Sequence, residues 1–248
     1  MSERTDRNMP NTPNTPDAQP FGSSGSFLDF MARSYESRLP PAVRGAIAET
    51  CLVPLGLGPR VLDLGCGPGL WLREVVALRP DATVVGYDRD GEMLAHAEHL
   101  GVPQAEWRRA DLGAPEFALP PAAADVIAMH FFFHFFDDPR RLLATVRDGL
   151  KPGGSLVITG WVRSSLASFL GFMGESRRQA EAGSDPDAAA WRMFASFNRY
   201  TPDDLRWLLE NAGFAVRRAE PYGDHFAYVI ATKTDGGGGL MEGNDRAG

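Results

Sequence analysis

The stretch Val61-Leu62-Asp63-Leu64-Gly65-Cys66-Gly67-Pro68-Gly69-Leu70 decides how this chain is read. A short apolar run ends in an acid and is followed by glycines at three alternate positions. From Trp71 onward the pattern is that of an amphipathic helix. The stretch therefore reads as strand, tight turn and helix start. Glycines let a backbone approach a ligand closely, because no Cβ stands in the way. The first N–H groups of the following helix are free to hold an anionic group.

Two ligand classes compete for such a turn. Dinucleotide sites prefer G-x-G-x-x-G, with the third glycine at the close helix–strand contact. Here the spacing is G-x-G-x-G, and Leu70 falls where that third glycine would stand. Asp63 precedes the turn, where a carboxylate repels a pyrophosphate and suits a positively charged ligand. S-adenosylmethionine carries a sulfonium and an ammonium and has no phosphate. The stretch resembles the first motif of class I S-adenosylmethionine-dependent methyltransferases.

The strand and helix pattern agrees with that resemblance. Helices are predicted at Phe27 to Arg38 and Pro41 to Leu52, broken at Pro40-Pro41. Five strands follow, at Arg60 to Leu64, Thr83 to Tyr87, Ala105 to Arg109, Asp125 to His130 and Ser155 to Trp161. They alternate with helices at Leu70 to Leu78, Gly91 to Leu100 and Arg140 to Leu150, which implies a doubly wound parallel sheet. Lys151-Pro152-Gly153-Gly154 is read as the stop of the last of these helices. Thr201-Pro202-Asp203-Asp204 caps a helix running to Gly213. The strands Phe214 to Glu220 and His225 to Thr232 are joined by a short turn and must be antiparallel. The whole resembles the α/β, seven-stranded, Rossmann-like methyltransferase sheet over about 55–233.

Three segments depart from that rhythm. Residues 1–25 are rich in Asn, Thr, Pro, Ser and Gly and are expected to be disordered, and 234–248 reads as a flexible tail. The methyltransferase domain is expected over 26–233. Within it, about 162–200 is an aromatic-rich insertion, expected to act with the N-terminal helices as a lid that Gly171, Gly174 and Gly183 allow to move.

Composition bounds the partners. At 248 residues, 44% hydrophobic and 23% charged, the chain can bury one sizeable α/β core. A net charge of −7 argues against broad nucleic-acid binding, which needs a basic footprint. No polybasic run points to a membrane, and Val126 to Phe136 is too short to span one. Cys51 and Cys66 show no pairing pattern, no secretory leader is read at the N-terminus, and a cytoplasmic location is expected. His96 and His99 have no acid or cysteine cluster beside them, so no metal site is expected. A small-molecule acceptor is the expected partner, and a homodimer is compatible with the sequence.

The resemblance assigns residues at each strand end. Gly65, Cys66, Gly67 and Gly69 with Asp63 form the cofactor turn. Asp88 accepts both ribose hydroxyls. Asp111 accepts from the adenine amino group beside the Leu112 N–H, while Arg89 lies against the adenine face or in solvent. His130 faces the sulfonium end, and Tyr35 closes over the methionine part. Histidine titrates near neutral pH, so His130 and His134 are the candidate general bases, with His225 as an outside candidate. Phe135 stands where many relatives carry a second histidine. Part of the run Phe131 to Phe136 must be core, and the rest is expected to line an apolar acceptor pocket. Arg163, Arg192 and Arg199 are placed at the surface or against an acidic acceptor group.

The leading expectation is O-methylation of an apolar or aromatic small molecule, of the kind met in natural-product biosynthesis. No Asn-Pro-Pro-Tyr motif follows the fourth strand, which argues against an amino-group methylase acting on adenine or glutamine. The alternatives are a cofactor-binding enzyme of the same fold that cyclises rather than methylates, a binding module with an inactive site and, last, a nicotinamide enzyme.

Overall fold

The computed structural model describes residues 24–174, 186–197 and 199–234. Seven strands form one sheet in the order β3-β2-β1-β4-β5-β7-β6. They are β1 (Arg60–Leu64), β2 (Thr83–Asp88), β3 (Ala105–Arg109), β4 (Ala124–His130), β5 (Leu150–Trp161), β6 (Phe214–Tyr222) and β7 (Phe226–Lys233). The first five run parallel, and β7 inserts antiparallel between β5 and β6. This is the predicted Rossmann-like methyltransferase sheet.

The central strands are apolar almost throughout because both faces are covered. Successive side chains alternate between the faces. Leu62, Leu64, Ile127, Met129 and Ile158 enter one core with helices α6 (Arg140–Gly149) and α9 (Pro202–Asn211). Val61, Val126, Ala128 and Val157 enter a second core with α3 (Pro41–Ile47) and α4 (Leu70–Leu78). Trp71, Leu72, Val75 and Val76 form the buried face of α4, each worth roughly 1.5–3 kcal/mol on burial. Thr201 and Asp204 form the expected reciprocal cap of α9.

A third, aromatic core caps the carboxyl ends of β4 and β5 and the start of the antiparallel β7. It joins Phe131, Trp161 and Phe226 to Phe169 and Met173 of the α7 region (Leu166–Phe172) and to Met193 and Phe197 of α8 (Pro186–Phe197). The insertion thus places several of its large side chains against one another and on the strand ends, while Phe172 and Trp191 remain exposed.

Several boundaries differ from expectation. The first predicted helix is two, α1 (Ser24–Arg33) and α2 (Tyr35–Arg38), parted at Ser34, and the segment after α3 widens into a π-helical turn over Ala48–Leu52. The backbone of α1 begins at Ser24. Residues 1–23 and 235–248, and Gly183 of the predicted lid, lie outside the described residues. The Lys151–Gly154 segment belongs to β5, with a register shift against β4 and Gly153 at a φ of 70°. Lys151 Nζ pairs with Asp125 at 2.8 Å, and Asp125 also accepts the Arg60 N–H at 2.8 Å, tying β1, β4 and β5 together at their starts. No described helix is long and apolar enough to cross a membrane.

Trp107 of β3 fills the space left by two glycines. A Cβ at Gly86 would meet its ring at 2.6 Å and Cys66 Sγ at 2.7 Å, and one at Gly69 would meet the ring at 2.6 Å. Gly86→Ala is therefore expected to destabilise the protein by about 1–3 kcal/mol through overpacking. Denaturant unfolding measures it, and an unchanged midpoint would refute this packing.

Candidate active site

The turn between β1 and α4 is built on left-handed backbone. Gly65, Gly67 and Gly69 have φ of 77°, 51° and 78°, a region that L side chains adopt only with strain. The neighbouring strand holds the turn in place. Tyr87 C=O accepts from the Gly65 and Cys66 N–H groups, and Asp88 Oδ2 accepts from Gly67 N–H at 2.8 Å. Asp88 Oδ1 accepts from Asp90 N–H at 2.9 Å. Asp88 is thus a builder of the turn, a role that sequence reasoning missed. Each of its oxygens keeps a lone pair for a further donor.

Asp63 lies behind the turn, 2% exposed, and its Oδ1 has no hydrogen-bond partner among the described residues. Burial, with the Asp88 charge nearby, holds its carboxyl well above the usual carboxylate range. The same causes, with the Asp63 charge added, keep the Cys66 thiol protonated. Such an orphaned acid fits a cationic ligand group, whose charge would restore the carboxylate.

A narrow cavity of about 40 Å³ opens beside Asp63, lined also by Tyr35, Arg38, Gly65, Cys66, Trp71 and His130. Small-molecule sites hold roughly 300–1,000 Å³. Phe132 packs over Gly65, and Met31, Tyr35 and Arg38 of the first two helices cover the opening. The cavity is therefore too small to enclose a whole ligand the size of S-adenosylmethionine. Arg44 holds the cover by pairing with Glu36 (3.0 Å) and Glu74 (3.1 Å), its guanidinium 5.2 Å from the Tyr35 ring centroid.

The predicted residues fall into three groups. Tyr35, Asp63, Gly65, Cys66 and His130 meet at the cavity. Gly67, Gly69, Asp88, Arg89, Asp111 and Leu112 lie along the turn and beyond the carboxyl ends of β2 and β3. There Arg89 is exposed, Asp111 Oδ1 accepts from Gly113 N–H at 2.9 Å, and Leu112 is buried in the first core. His134 is not brought to the cavity. It is buried between Phe197 and Phe135, at 4.3 Å from each ring, with neither ring nitrogen partnered among the described residues.

His130 is held by Thr159, with Nδ1 3.0 Å from Oγ1, and by the Trp71 ring at 4.5 Å. Burial lowers both histidines to about 3; for His130 the Arg38 charge adds to this, and for His134 the charges of Arg199 and Arg38. Both are neutral at pH 7 and weak as proton acceptors. Arg199 pairs with Asp137 at 2.7 Å, Arg163 donates to the Arg199 carbonyl, and Arg192 is exposed.

A family model described as a methyltransferase domain matches residues 32–219. The chain belongs to the class I S-adenosylmethionine-dependent methyltransferases. It is similar to the trans-aconitate 2-methyltransferase of Azoarcus sp. (strain BH72), 41% identical over 106 residues that make up 43% of this chain and 40% of that one. It spans about half the length, or less, of the curated relatives it matches. Among solved structures it resembles an S-adenosylmethionine-dependent methyltransferase from Mesorhizobium loti, with TM-score 0.58, 22% identity, and coverage of 79% of this chain and 100% of the other. The [4+2]-cyclase SpnF is equally similar in fold, with TM-score 0.58, 19% identity, and coverage of 79% and 81%. These two likenesses establish the fold of this methyltransferase-family chain and leave its reaction to the site itself.

Sequence reasoning missed Arg38, Trp71, Phe132 and Thr159. A signal for Arg38 existed: Met31, Tyr35 and Arg38 follow the four-then-three spacing of one helix face.

The Asp63 shift carries a signed prediction. Its folded-state value lies above the ordinary 3.8, so its stabilising contribution is complete below 3.8 and is lost as pH rises through the folded-state value. Ligand-free Asp63→Asn is expected to gain stability over the parent as pH is raised from 4 to 8, while its affinity for S-adenosylhomocysteine falls by about tenfold or more. Thermal melts across pH, with calorimetry, check both. A stability difference that stays flat with pH would refute the buried, unpaired carboxyl.

The histidines carry the opposite sign. Their folded-state values of about 3 lie below the ordinary 6.5, so their contribution is present above 6.5 and is lost as pH falls toward 3. His134→Phe should keep the packing on Phe197 and reduce acid sensitivity between pH 6.5 and 4, as read by the same melts. Equal acid sensitivity in parent and variant would contradict its burial as the neutral form.

Proposed function

We propose that this protein transfers a methyl group from S-adenosylmethionine to an oxygen of a small molecule with an apolar or aromatic body. The observation that carries the reading is the buried Asp63 carboxyl, with Oδ1 unpartnered, at the same cavity as the left-handed glycine turn and His130. When bound, the cofactor supplies a methyl group on a sulfonium, already activated for displacement.

The chain's own residues then have definable tasks. Asp63 receives the cationic amino-acid end. Asp88 accepts the ribose hydroxyls on the lone pairs left by Gly67 and Asp90. Asp111, Leu112 and Arg89 stand at the adenine end. Tyr35 and His130 bound the methionine end, and His130 is fixed in orientation by Thr159. Alignment and exclusion of water carry most of the rate in this arrangement, because neither His130 nor His134 holds a proton-accepting strength matched to neutral pH. His134 is assigned to packing under α8.

Helices α7 and α8, with α1 and α2, are assigned as the lid. The relatives named for trans-aconitate support an acceptor bearing carboxylate, and the aromatic third core supports one with an apolar body, as in natural-product biosynthesis. The cytoplasmic location read from the two free, buried thiols belongs to the same proposal.

Calorimetric titration with S-adenosylhomocysteine and with NAD tests the cofactor assignment, and binding of the first alone is expected. Asp88→Ala should weaken that binding by about 100-fold or more, since charge-assisted hydrogen bonds contribute roughly 1.5–3 kcal/mol each. Near-parent affinity in a folded Asp88→Ala protein would sink the ribose assignment. A mass gain of one methylene unit in the product separates methylation from cyclisation.

A further inference from the structure

A line of polar groups runs from the helical cover to the cofactor cavity across the carboxyl edge of the sheet. It begins at Arg38, the last residue of α2, whose carbonyl is among those that a helix end leaves without an internal partner. Tyr222, at the end of β6, donates its hydroxyl proton to that carbonyl at 2.7 Å. Thr159 of β5, fully buried, hydrogen-bonds with the Tyr222 phenol. Thr159 Oγ1 also lies 3.0 Å from Nδ1 of His130, at the end of β4. The other ring nitrogen, Nε2, is buried without a partner among the described residues, and the ring lines the cofactor cavity.

The direction of this chain follows from its first link. A carbonyl only accepts, so the phenol proton is committed to Arg38, and the Tyr222 oxygen is left as an acceptor. The Thr159 proton then goes to Tyr222, and Thr159 Oγ1 is left to accept from His130 Nδ1–H. A neutral imidazole carries one ring proton, so Nε2 is a bare lone pair. Two further observations agree. In the opposite tautomer Nε2–H would be a buried donor without an acceptor, and orphaned N–H groups are rarer than under-satisfied acceptors. The Arg38 guanidinium also acts on His130; burial lowers it only to about 10, so it is charged at neutral pH. A positive neighbour favours a lone pair over an N–H.

We propose that the Arg38 carbonyl, Tyr222 and Thr159 lock His130 as the Nδ1–H tautomer, and that its Nε2 lone pair receives the O–H of the methyl acceptor. This rests on the methyltransferase reading and narrows its substrate class. The reacting oxygen arrives as a hydroxyl or phenol with its proton, because an ionised carboxylate would set lone pair against lone pair. His130 is the group that touches the acceptor, while Tyr222 and Thr159 act through it as positioning residues. In the transfer an oxygen lone pair makes the new bond to the methyl carbon, and the sulfur–carbon pair stays with sulfur. The hydroxyl proton passes to Nε2 and on to water.

Nitrogen NMR of the ligand-free protein, with isotopically labelled histidine, reads the tautomer directly, and the His130 signals are those missing from His130→Gln. The parent is expected to show a protonated Nδ1 and a bare Nε2. Tyr222→Phe keeps the ring and releases the Thr159 proton toward Nδ1, so the imidazole proton should move largely to Nε2. Thr159→Val should also lose the Nδ1–H preference, and Thr159→Ser should keep it. A merely structural role for Tyr222 and Thr159 would leave the tautomer unmoved and so refute the lock. With S-adenosylhomocysteine bound, the parent should bind 4-propylphenol about fivefold or more tightly than 4-propylanisole, which has no proton to give. That ratio should fall toward one in Tyr222→Phe, as read by calorimetry. A parent His130 protonated on Nε2, or a parent indifferent between phenol and anisole, overturns the proposal. A parent that shows Nδ1–H but does not bind S-adenosylhomocysteine leaves the tautomer lock standing and removes the methyltransferase reading.

Discussion

Everything at the carboxyl edge of this sheet depends on how β2 grips the turn that follows β1. Two backbone N–H groups of the glycine turn go to the Tyr87 carbonyl, and a third goes to the Asp88 carboxylate. Without those acceptors the turn would carry unsatisfied donors in a largely buried place, each costing about 1–3 kcal/mol. With them, three alternate left-handed positions are held, and the chain reverses within five residues from β1 into α4. That reversal leaves Asp63 buried at the strand end and turns the α4 face carrying Trp71 toward His130. Close packing then fixes the arrangement from the far side, where Trp107 occupies the room that Gly69 and Gly86 leave.

The six-residue run Phe131 to Phe136 shows how one apolar segment serves three environments. Phe133 enters the first core against Tyr200, and Phe131 enters the aromatic third core. Phe132 covers Gly65, while Phe135 stays 41% exposed. Such a division needs a backbone that is neither strand nor long helix. The chain supplies it with Phe131 at a φ of 55° and a single 3-10 turn over Phe133–Phe135. A left-handed aromatic costs about 1–3 kcal/mol and persists only where its surroundings over-determine it. Here the Phe131 N–H is fixed by the Thr159 carbonyl, and its ring is held between Arg38 and Phe226.

Most of the fold was legible in the sequence because parallel strands buried on both faces and glycine-rich turns leave local signatures. Val84–Tyr87 and Val126–Met129 are continuous apolar runs, Val61–Leu64 is apolar but for Asp63, and Thr201 with Asp204 spells a helix cap. The positions of Asp63, Asp88 and His130 at or near the ends of β1, β2 and β4 were legible for the same reason, since strand ends can be counted off. The remainder depends on distant partners. Nothing near Asp88 in sequence says that it holds Gly67, and nothing near Trp107 says that it fills the gap beside Gly69. His134 looked like a base because histidine titrates near neutral pH and because it stands where the family resemblance places a histidine pair after the fourth strand. The 3-10 turn rotates it away from Asp63 and under Phe197, and that rotation follows from where α8 packs.

Three ionisable side chains meet around one small cavity without an opposite charge of their own: Asp63, His130 and Arg38. Each pays in a different form. Asp63 holds a raised carboxyl, His130 gives up protonation, and Arg38 stays charged among aromatic rings. A protein selected for stability alone would replace such groups with apolar ones of similar volume. Their retention at one place, beside strained backbone at Phe131, is the pattern expected where local rules are broken for a ligand. Acid and guanidinium line the same cavity without reaching ion-pair distance of each other. A ligand with separated positive and negative ends can satisfy both, whereas water in about 40 Å³ satisfies neither fully. The physical chemistry of this site thus suits a zwitterionic or paired occupant, whose binding should stabilise the whole carboxyl edge of the sheet.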